Sequence, residues 1–226
     1  MSNDPVKRTF DEAAKQYDTI KVQIVPKVRE VERLLRTYVA FPKKRRIRVL
    51  ELGTGTGKWA SGLLRAFPKA EYHGIDFSEQ MLQFASNRLK SFSHRIILEN
   101  LDLNRETPTG RVDLIYSAFT IHHIRDKRKL FKKLWNLLKP AGLFLYIDIT
   151  VAESPSVEAR FLESWKAFMR HSPWPNRKIK TIIDDHFEND IAETVEAQLA
   201  YLREARFRNR ELLWRHEKFA AFHAQR

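Results

Sequence analysis

Gly53, Gly55 and Gly57 occupy alternate positions in Glu51-Leu52-Gly53-Thr54-Gly55-Thr56-Gly57. A bend this short of side chains lets a ligand lie against the main chain and lets a helix close on the strand before it. The apolar run ahead of it reads as a buried strand, and residues 58–67 have helical spacing and stop at Pro68. Strand, glycine turn and helix form half of a dinucleotide-type binding unit. A second strand, Glu71-Tyr72-His73-Gly74-Ile75-Asp76, ends on an acid about 20 residues later, where such a unit sets a carboxylate against a ribose. The third glycine comes one residue earlier than in Gly-x-Gly-x-x-Gly, which disfavours an NAD site. A plain tight turn is the other reading of the bend.

A second group with chemical capacity is His122-His123, after a strand at residues 110–119 whose C-terminal end lies on the edge where open α/β sheets bind ligands. Histidine exchanges protons near neutral pH. Adjacent histidines on a helix face different ways, so one should meet the site and the other should pack or meet solvent. No third ligand is visible beside the pair, and Asp184, Asp185, His186 and Asp190 read as a helix surface, so no metal is expected.

The elements that position these groups follow in order. Residues 4–40 read as two helices, the first capped at Asp4-Pro5 with Phe10, Ala13, Ala14 and Tyr17 on one face, the second starting near Pro26. Ser78 caps a helix that runs to about residue 90. A third strand and its exit span residues 95–103. An amphipathic helix at 126–138 ends at Lys139-Pro140-Ala141-Gly142, and a near-continuously apolar fifth strand follows at 143–149. Two helices at 157–170 and 178–189, broken at Ser172-Pro173-Trp174-Pro175, form an insert. Thr194 caps a last helix, and a hairpin turning at Glu217 closes the chain.

The chain of 226 residues is long enough for one full α/β core. It has no cysteine, which removes disulfides, catalytic thiols and thiolate metal sites and points to a cytoplasmic setting. No apolar stretch is long enough to cross a bilayer, and the N-terminus lacks the apolar core of a secretory signal. The net charge is +13, from 41 Lys and Arg against 28 Asp and Glu. Two readings are open: a solvated basic surface, or an anionic partner such as RNA.

The segments ELGTGTG and GIDFSEQML, the FDEAAKQYD opening, the HH pair after the fourth strand and the terminal hairpin together resemble the class I S-adenosylmethionine (SAM)-dependent methyltransferases. The likeness runs from about residue 10 to 224 and is least specific over 155–190. It departs from the family at Ala141, where Pro-Gly-Gly is usual, and at Arg206, where Ala-Gly-Phe is common. The implied fold is α/β: a Rossmann-like, doubly wound, mostly parallel seven-stranded sheet with an antiparallel C-terminal hairpin, N-terminal helices and a helical insert after strand 5. Residues 1–226 read as one domain, with 1–42 covering the cofactor and 153–192 covering the substrate pocket.

The resemblance also implies a cofactor site. Gly53, Thr54, Gly55 and Gly57 lie against the amino-acid and ribose portion of SAM, and Glu51 orients its ammonium. Asp76, followed by Phe77, takes the ribose hydroxyls. Met81 packs on the adenine or fills core. Asp102 takes the adenine amino group or caps a turn, and Leu103 offers its N–H. Ser117 and Phe119 line the methyl end, which Tyr17 helps close or merely packs beneath. Arg29 or Arg33 meets the SAM carboxylate or faces solvent. Methyl transfer asks the protein mainly to align donor and acceptor and exclude water. Where a base is needed His122 is the candidate, with a packing histidine as the alternative. Three functions are consistent: a methyltransferase acting on an O, N or C nucleophile of a small molecule; a tRNA-modification-related enzyme, either an RNA methyltransferase or similar to carboxy-SAM synthases; and a SAM-binding protein without turnover. The oligomeric state is open, a homodimer included.

Overall fold

Arg48–Leu52 (β1) is the centre of a sheet that explains most of the burial pattern. The computed structural model of the chain describes residues 5–226. β1 pairs in parallel with Glu71–Asp76 (β2) on one side and Val112–Ala118 (β4) on the other. Ile96–Asn100 (β3) extends the β2 edge, and Leu138–Val151 (β5) pairs in parallel with β4. The hairpin Arg208–His216 (β7) and Phe219–Gln225 (β8) adds to β5 with β8 antiparallel. The order is therefore β3-β2-β1-β4-β5-β8-β7. The expected seven strands gain an eighth: Glu193–Thr194 (β6) runs beside the end of β5, at Thr150 and Val151. The chain returning from the insert regains the sheet there, just before its next helix.

Between the strands lie Lys58–Ala66 (α4), Glu79–Arg88 (α5), Lys127–Leu137 (α6) and Val195–Glu204 (α9). Ser78, Asp126 and Thr194 cap α5, α6 and α9 by accepting from the backbone N–H three residues on, as their side chains dictate. Val31, Leu35, Trp59 and Leu63 bury one face of the sheet, and Leu130, Phe131, Leu134 and Leu202 bury the other. Covered on both faces, β5 is buried without a break from Leu143 to Thr150.

The N-terminal region corrects the reading of two helices. Pro5–Ala13 (α1), a 3-10 turn at Ala14–Gln16, Tyr17–Ile24 (α2) and Val28–Thr37 (α3) make three helices, and Asp4 lies outside the described residues. Pro26 forces Val25 into an extended conformation, and Lys27 turns left-handed at φ 55° before α3 begins. The insert forms Pro155–Met169 (α7) and Asn176–Asn189 (α8), broken at Pro173 and Pro175 as expected. Trp165, Met169, Ile179 and Ile183 pack with Val25, Val28, Ile149 and Phe219, so the insert and the N-terminal helices share one apolar cluster over the end of β5. Trp165 Nε1 donates to the Ile24 carbonyl at 2.7 Å across that contact.

Ala141 and Arg206 both sit in the left-handed region, at φ 61° and 70°. These are the two positions where the chain lacks a glycine that the resemblance leads one to expect. Among the described residues, no helix is long and apolar enough to cross a membrane.

Candidate functional site

The bend after β1 is built for close approach. Gly53 has φ 67°, and a Cβ there would collide with the Thr120 hydroxyl, so only glycine fits. Gly57 also has positive φ, but its Cβ would meet Ala85 and Leu89, so this glycine lets α4 and α5 pack rather than facing a ligand. Gly55 donates its N–H to Asp76 Oδ2 at 2.8 Å, and Ser78 donates its N–H to Asp76 Oδ1 at 3.0 Å. Burial raises the Asp76 pKa to about 6, against these two donors, which hold it down.

A cleft of about 610 Å³, counting its open mouth, lies between the glycine bend and the ends of β2, β3 and β4. Of the residues singled out from the sequence, Tyr17, Gly53, Gly55, Asp76, Phe77, Met81, Asp102, Leu103 and Phe119 line it. Glu51, Thr54, Gly57 and Ser117 do not. Thr54 and Glu51 bond instead to the Tyr72 hydroxyl, which donates to Glu51 Oε2 at 2.6 Å. Burial pushes the Glu51 carboxyl up to about 8. Ser117 donates to the Leu52 carbonyl beneath the floor, and Gly57 lies against α5. Asp102 caps its own turn, accepting from Asn104 N–H at 2.9 Å and pairing with Arg105. Arg29 and Arg33 line a separate shallow cleft with Arg36 and Lys58.

The contacts that tie the N-terminal helices down join residues far apart in the chain. Arg88 Nη1 donates to Thr56 Oγ1 at 2.6 Å and Nη2 to Asp18 Oδ2 at 2.7 Å, while Thr56 Oγ1 donates to Asp18 Oδ1. Ser78 Oγ donates to Asp11 Oδ1 at 2.5 Å. Both α1 and α2 are thus fastened beside the bend, and Phe10 stands against Tyr17 and Phe77 over the cleft.

A second cavity, about 1050 Å³ with its mouth, lies between α1 and α2 and the insert helices. Phe10, Tyr17, Phe119 and His123 line both cavities, so they stand between them. Lys21 lies over the Phe119 ring and donates to Glu32 at 2.7 Å.

The histidine pair departs from both sequence expectations. His122 and His123 sit in a 3-10 turn, Ile121–His123, whose tighter winding brings their rings to 4.0 Å, and both line the second cavity. His123, not His122, also lines the first. A third donor does exist: Asp190, after α8, brings Oδ1 to 3.3 Å from His123 Nδ1 and 3.7 Å from His122 Nε2. Asp190 is therefore not helix surface, and the view that the pair lacks a third ligand is corrected. His122 Nδ1 bonds to buried Asp148 Oδ1 at 2.5 Å, and His186 Nδ1 bonds to Asp190 Oδ2 at 2.6 Å. Burial opposes charging His122, but Asp148 and Asp190 outweigh it and raise its pKa. Burial and neighbouring His122 push His123 down to about 3.

The sheet order, the glycine bend and the acid ending β2 define a Rossmann-like protein with a nucleoside-type ligand cleft. A family model described as a methyltransferase domain matches residues 50–144. The carboxy-S-adenosyl-L-methionine synthase of Nautilia profundicola is 24% identical over 97% of this chain and 96% of its own. The phosphoethanolamine N-methyltransferase of Plasmodium falciparum is 34% identical over 51% of this chain, which spans only 44% of that protein. A SAM-dependent methyltransferase structure from Aquifex aeolicus superposes with a TM-score of 0.63 at 18% identity, over 95% and 97% of the two chains. The methyltransferase-domain match over residues 50–144 and these likenesses support a class I SAM-dependent methyltransferase, with SAM as its cofactor.

The residues present suit that cofactor. The Asp76 carboxylate is buried at the cleft wall with lone pairs beyond its two backbone partners, which a sugar diol can fill. Phe77, Met81, Leu101 and Leu103 give the same cleft an apolar wall fit for a flat ring.

Proposed function

We propose that the chain transfers the methyl group of SAM to an O, N or C nucleophile of a small molecule held in the second cavity. The observation that carries this reading is that Phe10, Tyr17, Phe119 and His123 line both cavities, so the two lie side by side. SAM supplies an activated methyl on a sulfonium. Asp76 binds the ribose hydroxyls, Gly53 and Gly55 admit the backbone-hugging part of the ligand, and Met81, Phe77 and Leu103 hold the adenine. Tyr17 and Phe119 confine the methyl end and keep water out, which favours a near-attack alignment. His122 is the proton acceptor where the nucleophile needs one: Asp148 takes Nδ1–H and leaves Nε2 open toward the second cavity. In this reading residues 1–42 and 153–192 are covers of one domain, 1–226, working in the cytoplasm.

The test is calorimetry of ligand-free protein with SAM, followed by incubation with SAM and small-molecule fractions of a cell extract. Micromolar SAM binding with S-adenosylhomocysteine formed alongside a methylated product supports the proposal. Binding without turnover on any fraction points to the non-catalytic alternative.

The end-to-end match to a carboxy-SAM synthase favours a second reading, in which the chain acts on the donor itself. Mass spectrometry of the nucleoside after incubation with SAM and organic acids separates the two: carboxylated SAM supports the synthase reading, intact donor and S-adenosylhomocysteine the first. The +13 charge supports a tRNA-linked role. Retention on immobilised tRNA that falls steeply from low to moderate salt would support direct contact.

A further inference from the structure

We propose that His122, His123 and Asp190 bind one divalent first-row transition-metal ion whose open positions face the second cavity. Their donor atoms all lie within 4.8 Å of one another. The two separations, 3.3 and 3.7 Å, are long for strong hydrogen bonds. They are close to the edge of a tetrahedron of ligands about 2.1 Å from a common centre, which is about 3.4 Å. Both ring nitrogens of His123 are buried without a well-aligned hydrogen bond, with only the Asn189 backbone and Asp190 Oδ1 close by. Such groups call for an explanation, and a bound ion supplies one.

The surroundings have the features of an outer shell. Asp148 holds Nδ1 of His122, which turns the Nε2 lone pair toward Asp190. His186 holds Oδ2 of Asp190 and leaves Oδ1 for the shared position. Carboxylate–histidine pairs of this kind orient ligands and strengthen them as donors. The segment bearing Asp190 is pinned by Ile191 N–H to the His122 carbonyl at 2.8 Å, and by Lys127 Nζ to the Ile191 carbonyl at 2.5 Å. Lys127 thus spends its donors on the Ile124 and Ile191 carbonyls. Two imidazoles and one carboxylate suit zinc, iron, cobalt, nickel or manganese.

Three protein ligands leave at least one position open, as in sites that bind substrate through the metal. All three residues line the second cavity, so the open side takes an oxygen of its occupant, which identifies that occupant as a small molecule with an ionisable or chelating oxygen. That last step rests on the two-cavity reading above; the metal site does not. With the ion bound, His122 Nε2 is a ligand and is not available as a base.

Full-length protein treated with a chelator and dialysed is titrated with ZnCl2 and MnCl2 by calorimetry, and with CoCl2 by visible absorption. One tight site per chain, with the intense bands of four- or five-coordinate cobalt, is expected. Asp190→Asn and His122→Gln should each weaken binding at least tenfold while SAM affinity stays near wild type. No stoichiometric tight site, or variants that bind as well as wild type through other histidines, overturns the proposal. Should the variants fail to fold, the wild-type cobalt spectrum decides: weak octahedral bands only would overturn it. Loss of SAM binding in wild-type protein with the metal site intact would instead sink the methyltransferase reading alone.

Discussion

Gly55 donates its backbone N–H to Asp76 Oδ2 at 2.8 Å, joining the glycine bend of one strand to the acid that ends the next. The contact makes Asp76 both part of the bend's structure and the polar end of the cleft. Replacing it with alanine should weaken SAM binding more than tenfold in calorimetry, about 1.4 kcal/mol or more. Unchanged affinity would remove Asp76 from the cofactor site.

Because burial raises Asp76 to about 6, its ionised form is the minor one below that pH. A diol donates to the carboxylate, so binding should be full above pH 7 and fall about tenfold by pH 5. The sign for folding is opposite: the native pKa lies above the unfolded value of about 3.9, so ionising Asp76 costs stability as pH rises from about 4 to 6. Calorimetry across pH 5–8 checks the binding trend, and Asp76→Asn should flatten it.

The fastening of α2 by Arg88 predicts a remote effect on the cofactor. Arg88→Ala leaves Asp18 and Thr56 without their shared partner and should weaken SAM binding several-fold, about 1 kcal/mol. Asp18→Ala should have a similar effect, and the double variant should fall short of the sum. Additive losses in calorimetry would show that the three side chains do not act as one unit.

The elements governed by neighbours in sequence were legible in advance. Gly53 and Gly55, the caps Ser78 and Thr194, the Pro173–Pro175 break and the hairpin at Glu217 all follow from local backbone and side-chain demands. Asp76 was legible because the spacing from bend to second strand is set by one helix. What depended on docking of distant segments was not. Asp190 reaches the histidines only once α8 folds over the sheet edge, and the 3-10 turn that brings His122 and His123 together has no marker in Thr120-Ile121-His122-His123. The bond from Tyr72 to Glu51 was hidden because the two residues lie on neighbouring strands. The Arg88 link likewise joins residues with no sequence signature.

Ala141 and Arg206 carry a left-handed conformation that a side chain resists. Glycine relieves it at the cost of a more flexible unfolded chain, so Ala141→Gly and Arg206→Gly should each stabilise by about 0.5–1 kcal/mol. Thermal unfolding should show midpoints about 1–4 °C higher. Lower midpoints would mean that local contacts outweigh the backbone term.

Lys218 lies fully buried in the β7–β8 turn, with its ammonium on Glu158 of α7. Glu158 also accepts the Ala152 N–H at 2.8 Å. Glu158→Ala would leave a buried cation unpaired and should cost about 3–5 kcal/mol in denaturant unfolding, whereas Lys218→Met should be near neutral or stabilising. Similar small effects from both would show that water reaches the pair.

A crystal structure with S-adenosylhomocysteine tests the two-cavity arrangement most directly. The adenosine should lie in the first cleft with both ribose hydroxyls on Asp76, and the sulfur should sit between Tyr17 and Phe119, open to the second cavity. A nucleoside bound elsewhere, or a sulfur walled off from the chamber lined by His122 and Asp190, would contradict it.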